Sequence, residues 1–206
     1  MTLPNRVDPF GNLFADPARD LFFGNRGGRF HRDDRTLGVR RWASRQWICC
    51  RLAFKGRQRA VWSDGYTELF FLDEPTALAA GHRPCFECRR ADAKAFSAAF
   101  TAGTGIVPRA PAIDRVLQRE RLDGRAKRRH RLPIDDLPDG ALLTLAGEPA
   151  RAWAVRGPSL LPWTPAGYAA WCPRPRGIIA DVLTPPGVLA ALSAGYRPVW
   201  HPSAVD

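Results

Sequence analysis

The sequence has little of what would point to a membrane or secreted protein. No stretch approaches the roughly 18 consecutive apolar residues that a membrane-spanning helix needs, and residues 1–20 contain no apolar core of a secretory signal. Cysteine is scarce, and five cysteines in 206 residues are too few and too unevenly placed for a disulfide scaffold. We therefore expect a cytoplasmic protein with no membrane partner, whose cysteines bind metal or react.

Lysine is scarce as well. Of the 31 basic residues only Lys55, Lys94 and Lys127 are lysine, and the formal net charge is +11. Because the guanidinium group is planar and binds phosphate through paired hydrogen bonds, such an excess of arginine fits an anionic polymer partner. GC-rich coding, which favours arginine, alanine, glycine and proline together, would give the same composition. The distribution of charge along the chain has to decide between these explanations.

The familiar catalytic motifs are missing too. The sequence contains no Walker loop, no Gly-x-Ser-x-Gly elbow and no pair of histidines at helical spacing. The paired acids at 33–34 and 135–136 lie in turn-like contexts, where acidic residues are common. Core packing explains Trp163, Tyr168 and Trp171 better than a base-binding pocket does. The sequence therefore nominates no general acid or base.

One pair of cysteines has the spacing of a metal knuckle. In "RPCFEC", Cys85 and Cys88 flank the start of a predicted helix, where unpaired N–H groups favour thiolates. A tetrahedral zinc site needs further donors, and the nearest other sulfurs in the sequence are those of Cys49 and Cys50. Because adjacent strand residues point to opposite faces, we expect one of those two to reach the metal unless the chain bends there. The predicted Zn²⁺ ligands are drawn from Cys49, Cys50, Cys85 and Cys88.

The fourth ligand stays open at this point. His31, His82, the second thiolate of the adjacent pair and a water molecule are the candidates. A dithiol redox site is the alternative for Cys-x-x-Cys, but such sites follow a strand in a βαβ unit, whereas this one follows a helix. Cys172 stands alone in the sequence, and we expect it to be structural.

The segment from about Trp47 to Cys88 resembles the zinc-binding domain at the N-terminus of Ada-type DNA-repair methyltransferases. The similarity lies in the strand with "ICC", the strand "ELFFLDE", the helix "PTALAAG" and the ending "RPCFEC". It implies four cysteine ligands to zinc, with Cys85 and Cys88 as the last pair. It also implies that Cys50 takes the place of the thiolate that accepts a methyl group from a DNA phosphotriester. The family's second cysteine, four residues after the first, is replaced here by Phe54, so the resemblance implies a structural zinc module more directly than methyl transfer.

Basic residues cluster in two stretches. Between Arg26 and Arg45 there are seven arginines and two aspartates, and between Arg109 and Arg131 there are nine basic and three acidic residues. Arginine beside aromatic rings can hold phosphate and stack on bases. The residues that we expect to contact nucleic acid are Arg29, Arg32, Arg40, Arg41, Arg45, Arg89, Arg90, Arg125, Lys127, Arg128, Arg129 and Arg131.

The remaining pattern predicts an α+β fold. Residues 45–74 place aromatic and β-branched residues between turn signals, which predicts a small antiparallel β-meander. A short helix follows, capped by Asp73 and ended by Gly81, and another runs on from Cys88. We divide the chain into a basic, loop-rich segment (1–45), a zinc module of meander and short helices around the knuckle (46–103), a basic helix and linker (104–131), and a smaller β-rich C-terminal part (132–206) that ends in a short helix from Pro186 to Ala194.

The functional expectation combines the cysteines with the charge. We expect a zinc-containing protein that binds nucleic acid, with DNA as the favoured partner, and that is nucleoid-associated if it does so. A role in DNA repair or damage response is what the resemblance implies. Two alternatives stay open. One is an enzyme, either a zinc-activated alkyl acceptor with Cys50 or Cys49 as the reactive thiolate or another DNA-processing enzyme, such as a nuclease or glycosylase, in the C-terminal part. The other is an interaction adaptor whose basic surface binds an acidic protein.

Overall fold

The computed structural model describes residues 2–18, 20–56, 60–107 and 109–205, and it confirms the α+β class. Residues 57–59, which belong to the predicted meander, lie outside the described residues. Over the described ranges the chain forms a six-stranded sheet, a seven-stranded sheet, a two-stranded ribbon and four α-helices. None of these helices combines the length and the apolar character needed to cross a membrane.

The first sheet comes from the N-terminal part of the chain. Its strands are β1 (Arg6–Val7), β2 (Leu13–Phe14), β3 (Phe22–Arg26), β4 (Trp47–Arg51), β5 (Leu69–Phe71) and β6 (Arg83–Pro84), in the spatial order β2-β1-β5-β3-β4-β6. Strand β3 lies between β4 and β5 and is antiparallel to both. The expected meander of 45–74 is therefore wrong in its topology, because a strand from the supposedly loop-rich segment 1–45 lies between β4 and β5.

Gly24 explains why β3 is hard to find in the sequence. A Gly-Asn pair inside "FFGNR" is typical of a turn, and glycine weakens a strand. In the structure a Cβ atom at Gly24 would lie 2.0 Å from the carbonyl oxygen of Ile48 on β4. The two strands approach too closely here for any side chain, so the residue that suggests a turn is the one that the sheet requires.

The helices lie close to their predicted positions, although the helix expected to run on from Cys88 begins at Arg90, so both cysteines precede it. They are α1 (Glu74–Ala79), α2 (Arg90–Thr104), α3 (Ala110–Arg121) and α4 (Pro186–Ser193). The Asp73 carboxylate accepts a hydrogen bond from the Thr76 N–H at 3.0 Å, and Gly81 has a φ of +88°, so both predicted ends of α1 are confirmed. Helix α2 continues through Gly103, where a Cβ atom would lie 2.6 Å from the Ala190 carbonyl oxygen, because α2 packs closely on α4.

The second sheet is antiparallel and comes from the C-terminal part. A two-stranded ribbon, β7 (Leu122–Asp123) with β8 (Ala126–Lys127), precedes it. The strands of the sheet are β9 (His130–Pro133), β10 (Leu142–Leu145), β11 (Glu148–Arg156), β12 (Ser159–Thr164), β13 (Gly167–Tyr168), β14 (Cys172–Pro173) and β15 (Ile179–Val182), in the order β13-β12-β11-β10-β15-β9, with β14 also pairing with β12. The predicted β-rich C-terminal part ending in a helix is therefore present.

The hydrophobic core crosses the segment boundaries that the sequence suggested. Leu72 and Ala79, at the end of the first sheet and in α1, pack in one cluster with Leu142 of the second sheet. Phe100 of α2 packs in another cluster with Val188 of α4. Helix α1 thus contacts both sheets, and α2 and α4 pack on each other in a cluster that also includes Leu78 of α1.

A buried carboxylate ties these parts together. The Oε1 atom of Glu74 accepts a hydrogen bond from the Tyr196 hydroxyl at 2.6 Å, and its Oε2 atom accepts from the Val199 N–H at 2.9 Å. Oε2 also accepts from Nη2 of Arg89 at 2.8 Å, and both of these charged side chains are only 1% exposed. Glu74 therefore joins α1 to the start of α2 and to the C-terminal segment.

Glu74→Gln should lower the free energy of unfolding by about 3–5 kcal/mol, because it leaves the buried Arg89 guanidinium without its full counter-charge. Urea unfolding followed by circular dichroism measures this loss. The control is Asp123→Asn, which removes an exposed partner of Arg128 at 3.5 Å and should cost less than about 1 kcal/mol. Equal losses in the two variants would contradict the role given to Glu74.

Candidate metal centre

Strand β4 separates the two adjacent cysteines. Side chains alternate along a strand, so Trp47 and Cys49 share one face while Ile48 and Cys50 share the other. Cys49 packs into the apolar cluster that contains Phe22 and Leu69. Cys50 packs instead with the other two cysteines of the N-terminal half.

Strand β6 brings the Cys-x-x-Cys turn to Cys50. It runs parallel to β4 with Pro84 opposite Cys49, and the Cys85 N–H donates to the Cys49 carbonyl oxygen at 2.9 Å. The chain then turns, closed by a hydrogen bond of 3.0 Å from the Arg89 N–H to the Cys85 carbonyl oxygen. As a result, the sulfur atoms of Cys50, Cys85 and Cys88 all lie within 4.8 Å of one another.

These three sulfur atoms form a group that can hold a metal ion. Zinc–sulfur bonds of about 2.3 Å in a tetrahedral shell place sulfur atoms about 3.8 Å apart, so little closure of the cluster is needed. Each of the three residues is at most 8% exposed. The three side chains are therefore largely buried.

Hydrogen bonding within the cluster favours one thiolate. The pKa of Cys85 is lowered because its sulfur accepts hydrogen bonds from the thiols of Cys50 and Cys88, and the Glu87 N–H adds a contact of 3.4 Å. The pKa of Cys50 is raised because its thiol donates to the other two sulfurs. A metal ion would replace the shared protons, so its affinity should fall as the pH is lowered.

Cys49 lies outside this cluster, which corrects its assignment as a ligand. Its sulfur accepts a hydrogen bond from Nη1 of Arg89 at 3.5 Å, on the other face of β4. Burial raises the pKa of the Cys49 thiol, with the Arg89 charge opposing this only in part, so the group keeps its proton. The expectation that only one of the two adjacent cysteines would face the metal holds, and that residue is Cys50.

The two candidate histidines are engaged elsewhere. Nδ1 of His31 is 2.8 Å from the Thr67 hydroxyl and its Nε2 is 3.0 Å from the Ser63 carbonyl oxygen, so both ring nitrogens have partners. His82 is buried against Trp47 and Phe71, on the Cys49 side of the sheet. Among the described residues, neither histidine belongs to the cysteine cluster.

The cluster opens onto a cavity of about 200 Å³. Phe54 packs directly against the three cysteines. Asn25 and Glu68 contribute polar groups to the wall, and Oε2 of Glu68 accepts a hydrogen bond from the Trp62 N–H at 2.9 Å. A tetrahedral metal ion held by three sulfurs would thus have its fourth position beside this cavity. Reasoning from the sequence missed Asn25 and Glu68, because only the sheet pairing brings them to the cysteines.

The structure brings the two basic stretches together. Nη2 of Arg125 donates to the Val39 carbonyl oxygen at 3.2 Å, and Nη2 of Arg121 donates to the Arg45 carbonyl oxygen at 2.8 Å. Arg29 is half-buried and pairs with Asp33. The exposed members of the predicted set are Arg32, Arg40, Arg41, Arg45, Arg90, Arg125, Arg128, Arg129 and Arg131.

Two members of that set need correction. Arg89 is 1% exposed and pairs with Glu74 and Asp92, so it anchors α2 and is not available to a partner. The ammonium group of Lys127 donates to the Ala79 carbonyl oxygen, and burial together with Arg121 lowers its pKa to about 7. Neither side chain is the solvated surface cation that the sequence suggested.

No protein-family model, curated protein or solved structure matches the chain. The geometry of the cysteines and the placement of the charges therefore have to support the functional argument.

Alanine substitution at Cys50 or Cys88 should abolish binding of one metal ion per chain, because two sulfurs do not complete a stable zinc shell. Elemental analysis of protein purified without chelators and the cobalt–thiolate absorption of cobalt-loaded protein measure this. Cys49→Ala and Cys172→Ala are matched controls that should keep the metal. Loss of metal from a folded Cys49→Ala variant, equal to the loss from Cys50→Ala, would contradict the three-cysteine site.

Proposed function

We propose that the chain is a zinc-containing protein that binds nucleic acid, with DNA as the favoured partner, and that it acts in DNA repair or damage response. The observation that carries the proposal is the convergence of the two basic stretches, joined by the contact of Arg125 with Val39. Clusters of arginine that are distant in sequence but adjacent in space concentrate positive potential on one surface. This is the electrostatic footprint expected of a protein that grips a phosphate backbone.

Zinc is the metal that we propose for the cysteine cluster. Thiolates are soft ligands that favour zinc over the hard cations magnesium and calcium, and the three sulfurs suit a tetrahedral shell. When bound, zinc would hold its sulfur ligands in the deprotonated state. Cys50, Cys85 and Cys88 would then fix β4 to β6 and to the turn before α2.

A salt series tests the nucleic-acid proposal most directly. The logarithm of the association constant should fall linearly with the logarithm of salt concentration, with a slope of about −0.9 for each phosphate contact on duplex DNA. The double variant with Arg32→Ala and Arg40→Ala should bind more weakly and show a slope shallower by roughly two. Fluorescence anisotropy with a labelled duplex and a labelled single strand gives both quantities.

The matched control for that series is Arg151→Ala. Arg151 is an exposed arginine on β11 that pairs with Glu148 at 3.6 Å, and it lies outside both basic stretches. Its substitution should leave the affinity and the slope unchanged. Two results would rule out the basic stretches as the nucleic-acid-binding surface. One is an affinity that does not depend on salt concentration, and the other is a loss of affinity in Arg151→Ala as large as that in the double variant.

A second function is favoured by the cavity at the cysteines. A purely structural cluster needs no access, whereas here Phe23, Phe54 and Phe70 wall an opening of about 200 Å³ next to the sulfurs. Bound zinc would keep Cys50 deprotonated, and in this alternative the Cys50 thiolate attacks the methyl carbon of an alkylated phosphate. The carbon–sulfur bond forms as the carbon–oxygen bond breaks, the phosphodiester anion leaves, and the sulfur becomes a neutral thioether.

Incubation with an oligonucleotide that carries a methyl phosphotriester should then add one methyl group to Cys50 and to no other cysteine. Peptide mass spectrometry locates the adduct, and an unmethylated oligonucleotide of the same sequence serves as the control. Cys172, which is half-buried and outside the cluster, reports non-specific alkylation. An unmodified cluster in protein that still binds the oligonucleotide would exclude the acceptor role and leave the binding proposal intact.

A further inference from the structure

A second cavity, of about 390 Å³, lies on the Trp47 face of β4, opposite the face that carries Cys50. Its lining comes from the loop after β1, from β3, from the end of α3 and from the ribbon of β7 and β8. No acidic side chain is present among the described residues of the lining. The basic side chains that line it are Arg26, Arg41, Arg121, Arg125 and Lys127.

Two of these arginines are buried deep in the wall. Arg26 and Arg121 are 2% and 1% exposed, and their guanidinium carbons lie 4.0 and 3.8 Å from the Trp47 ring centroid. Nη2 of Arg26 donates to the Gly11 carbonyl oxygen at 2.9 Å, and Nη1 of Arg121 donates to the Gly81 carbonyl oxygen at 2.9 Å. Neither forms an ion pair with a carboxylate of the described residues.

Among the described residues, the buried cations of this wall therefore have no carboxylate in direct contact. Nε of Arg121 is buried and has no hydrogen-bond partner in the described part of the chain. Asp8 attracts Arg26 and Lys127 from a distance, but its own oxygens accept hydrogen bonds from the backbone and side-chain nitrogens of Asn12, at 2.8 and 2.9 Å. Asp114 likewise attracts Arg121 from a distance, but both of its oxygens accept hydrogen bonds from Arg83. Burial lowers the pKa of Arg26, Arg121 and Lys127, which is the response of a cation that is desolvated without a partner.

Buried arginines elsewhere in the chain are arranged differently. Arg83 is 1% exposed, and its Nε and Nη2 atoms donate to the two carboxylate oxygens of Asp114 at 2.8 and 2.9 Å. The attraction between the two charges of such a pair offsets the free-energy cost of removing them from water. Arg26 and Arg121 are equally buried, yet they have only neutral acceptors and face a cavity. This contrast indicates that an external anion supplies the missing charge.

We propose that this cavity binds a phosphate group, carried either by a small phosphorylated molecule or by the end of a nucleic-acid strand. A phosphate monoester carries close to two negative charges and several acceptor oxygens, which match three or more converging cations. The volume falls in the usual range of about 300–1,000 Å³ for small-molecule sites. Trp42, half-exposed in the wall, offers a ring face on which a base can stack. This site goes beyond the proposed function, because phosphate binding in the cavity requires neither bound zinc nor the binding of a DNA duplex.

Calorimetric titration at constant ionic strength tests the site with inorganic phosphate, a nucleoside monophosphate and the matching nucleoside. Inorganic phosphate and the nucleoside monophosphate should both bind and raise the melting temperature of the protein, and the nucleoside should do neither. Lys127→Met and Arg125→Ala should each weaken phosphate binding by about tenfold or more, the usual effect of losing a charged hydrogen-bond partner. Arg128→Ala is the control, since Arg128 is exposed, adjacent in sequence and outside the lining, and it should change the affinity less than twofold.

Oligonucleotides with and without a terminal phosphate separate the two sources of the ligand. Tighter binding of the phosphorylated strand, lost in Lys127→Met, assigns the site to strand ends. If the nucleoside monophosphate binds, but the oligonucleotides with and without a terminal phosphate bind equally well, the site is assigned to a small phosphorylated ligand. The proposal is overturned if phosphate gives no more heat or thermal shift than chloride, or if Arg128→Ala weakens binding as much as Lys127→Met. Arg32 and Arg40 lie outside the lining, so failure of the salt series leaves this test unaffected.

Discussion

The alternation of side chains along β4 is the constraint on which the functional geometry depends. Because Cys49 and Cys50 are neighbours on a strand, they point to opposite faces, and a third and fourth sulfur cannot both come from this pair. One face of the strand therefore carries the cysteine cluster and its cavity. The other carries Trp47 and the buried cations. One short strand thus contributes to two chemically different cavities on opposite faces of the sheet.

Local signals in the sequence were sufficient for part of this structure. The cap at Asp73, the end of α1 at Gly81 and the Cys85–Cys88 turn are set by residues only a few positions apart, and each is found where the sequence places it. That only one of the adjacent residues Cys49 and Cys50 faces the cysteine cluster follows from strand geometry alone. Features of this kind need no knowledge of distant partners, which is why they could be predicted.

What the sequence could not reveal depends on long-range contacts. Strand β3 inserts between β4 and β5 because Gly24 permits close approach to Ile48, a requirement that only the assembled sheet displays. Arg89 and Arg90 are adjacent arginines that no local pattern distinguishes. The side chain of Arg89 nevertheless points inward to Glu74, whereas that of Arg90 is exposed to solvent. The contact between the two basic stretches could not be predicted for the same reason, since no local pattern indicates which loops lie next to each other in the fold.

The stretch from Gly81 to Cys85 connects the two sites physically. A Cβ atom at Gly81 would lie 2.5 Å from the side chain of Arg121, so the glycine that ends α1 also makes room for a buried cation. Two residues later, Arg83 pairs with Asp114 of α3 and fixes β6 against that helix. Cys85 then delivers its sulfur to the opposite face of the sheet. Gly81, Arg83 and Cys85 are therefore each required by a distinct contact, which explains more of this stretch than its role in ending α1 does.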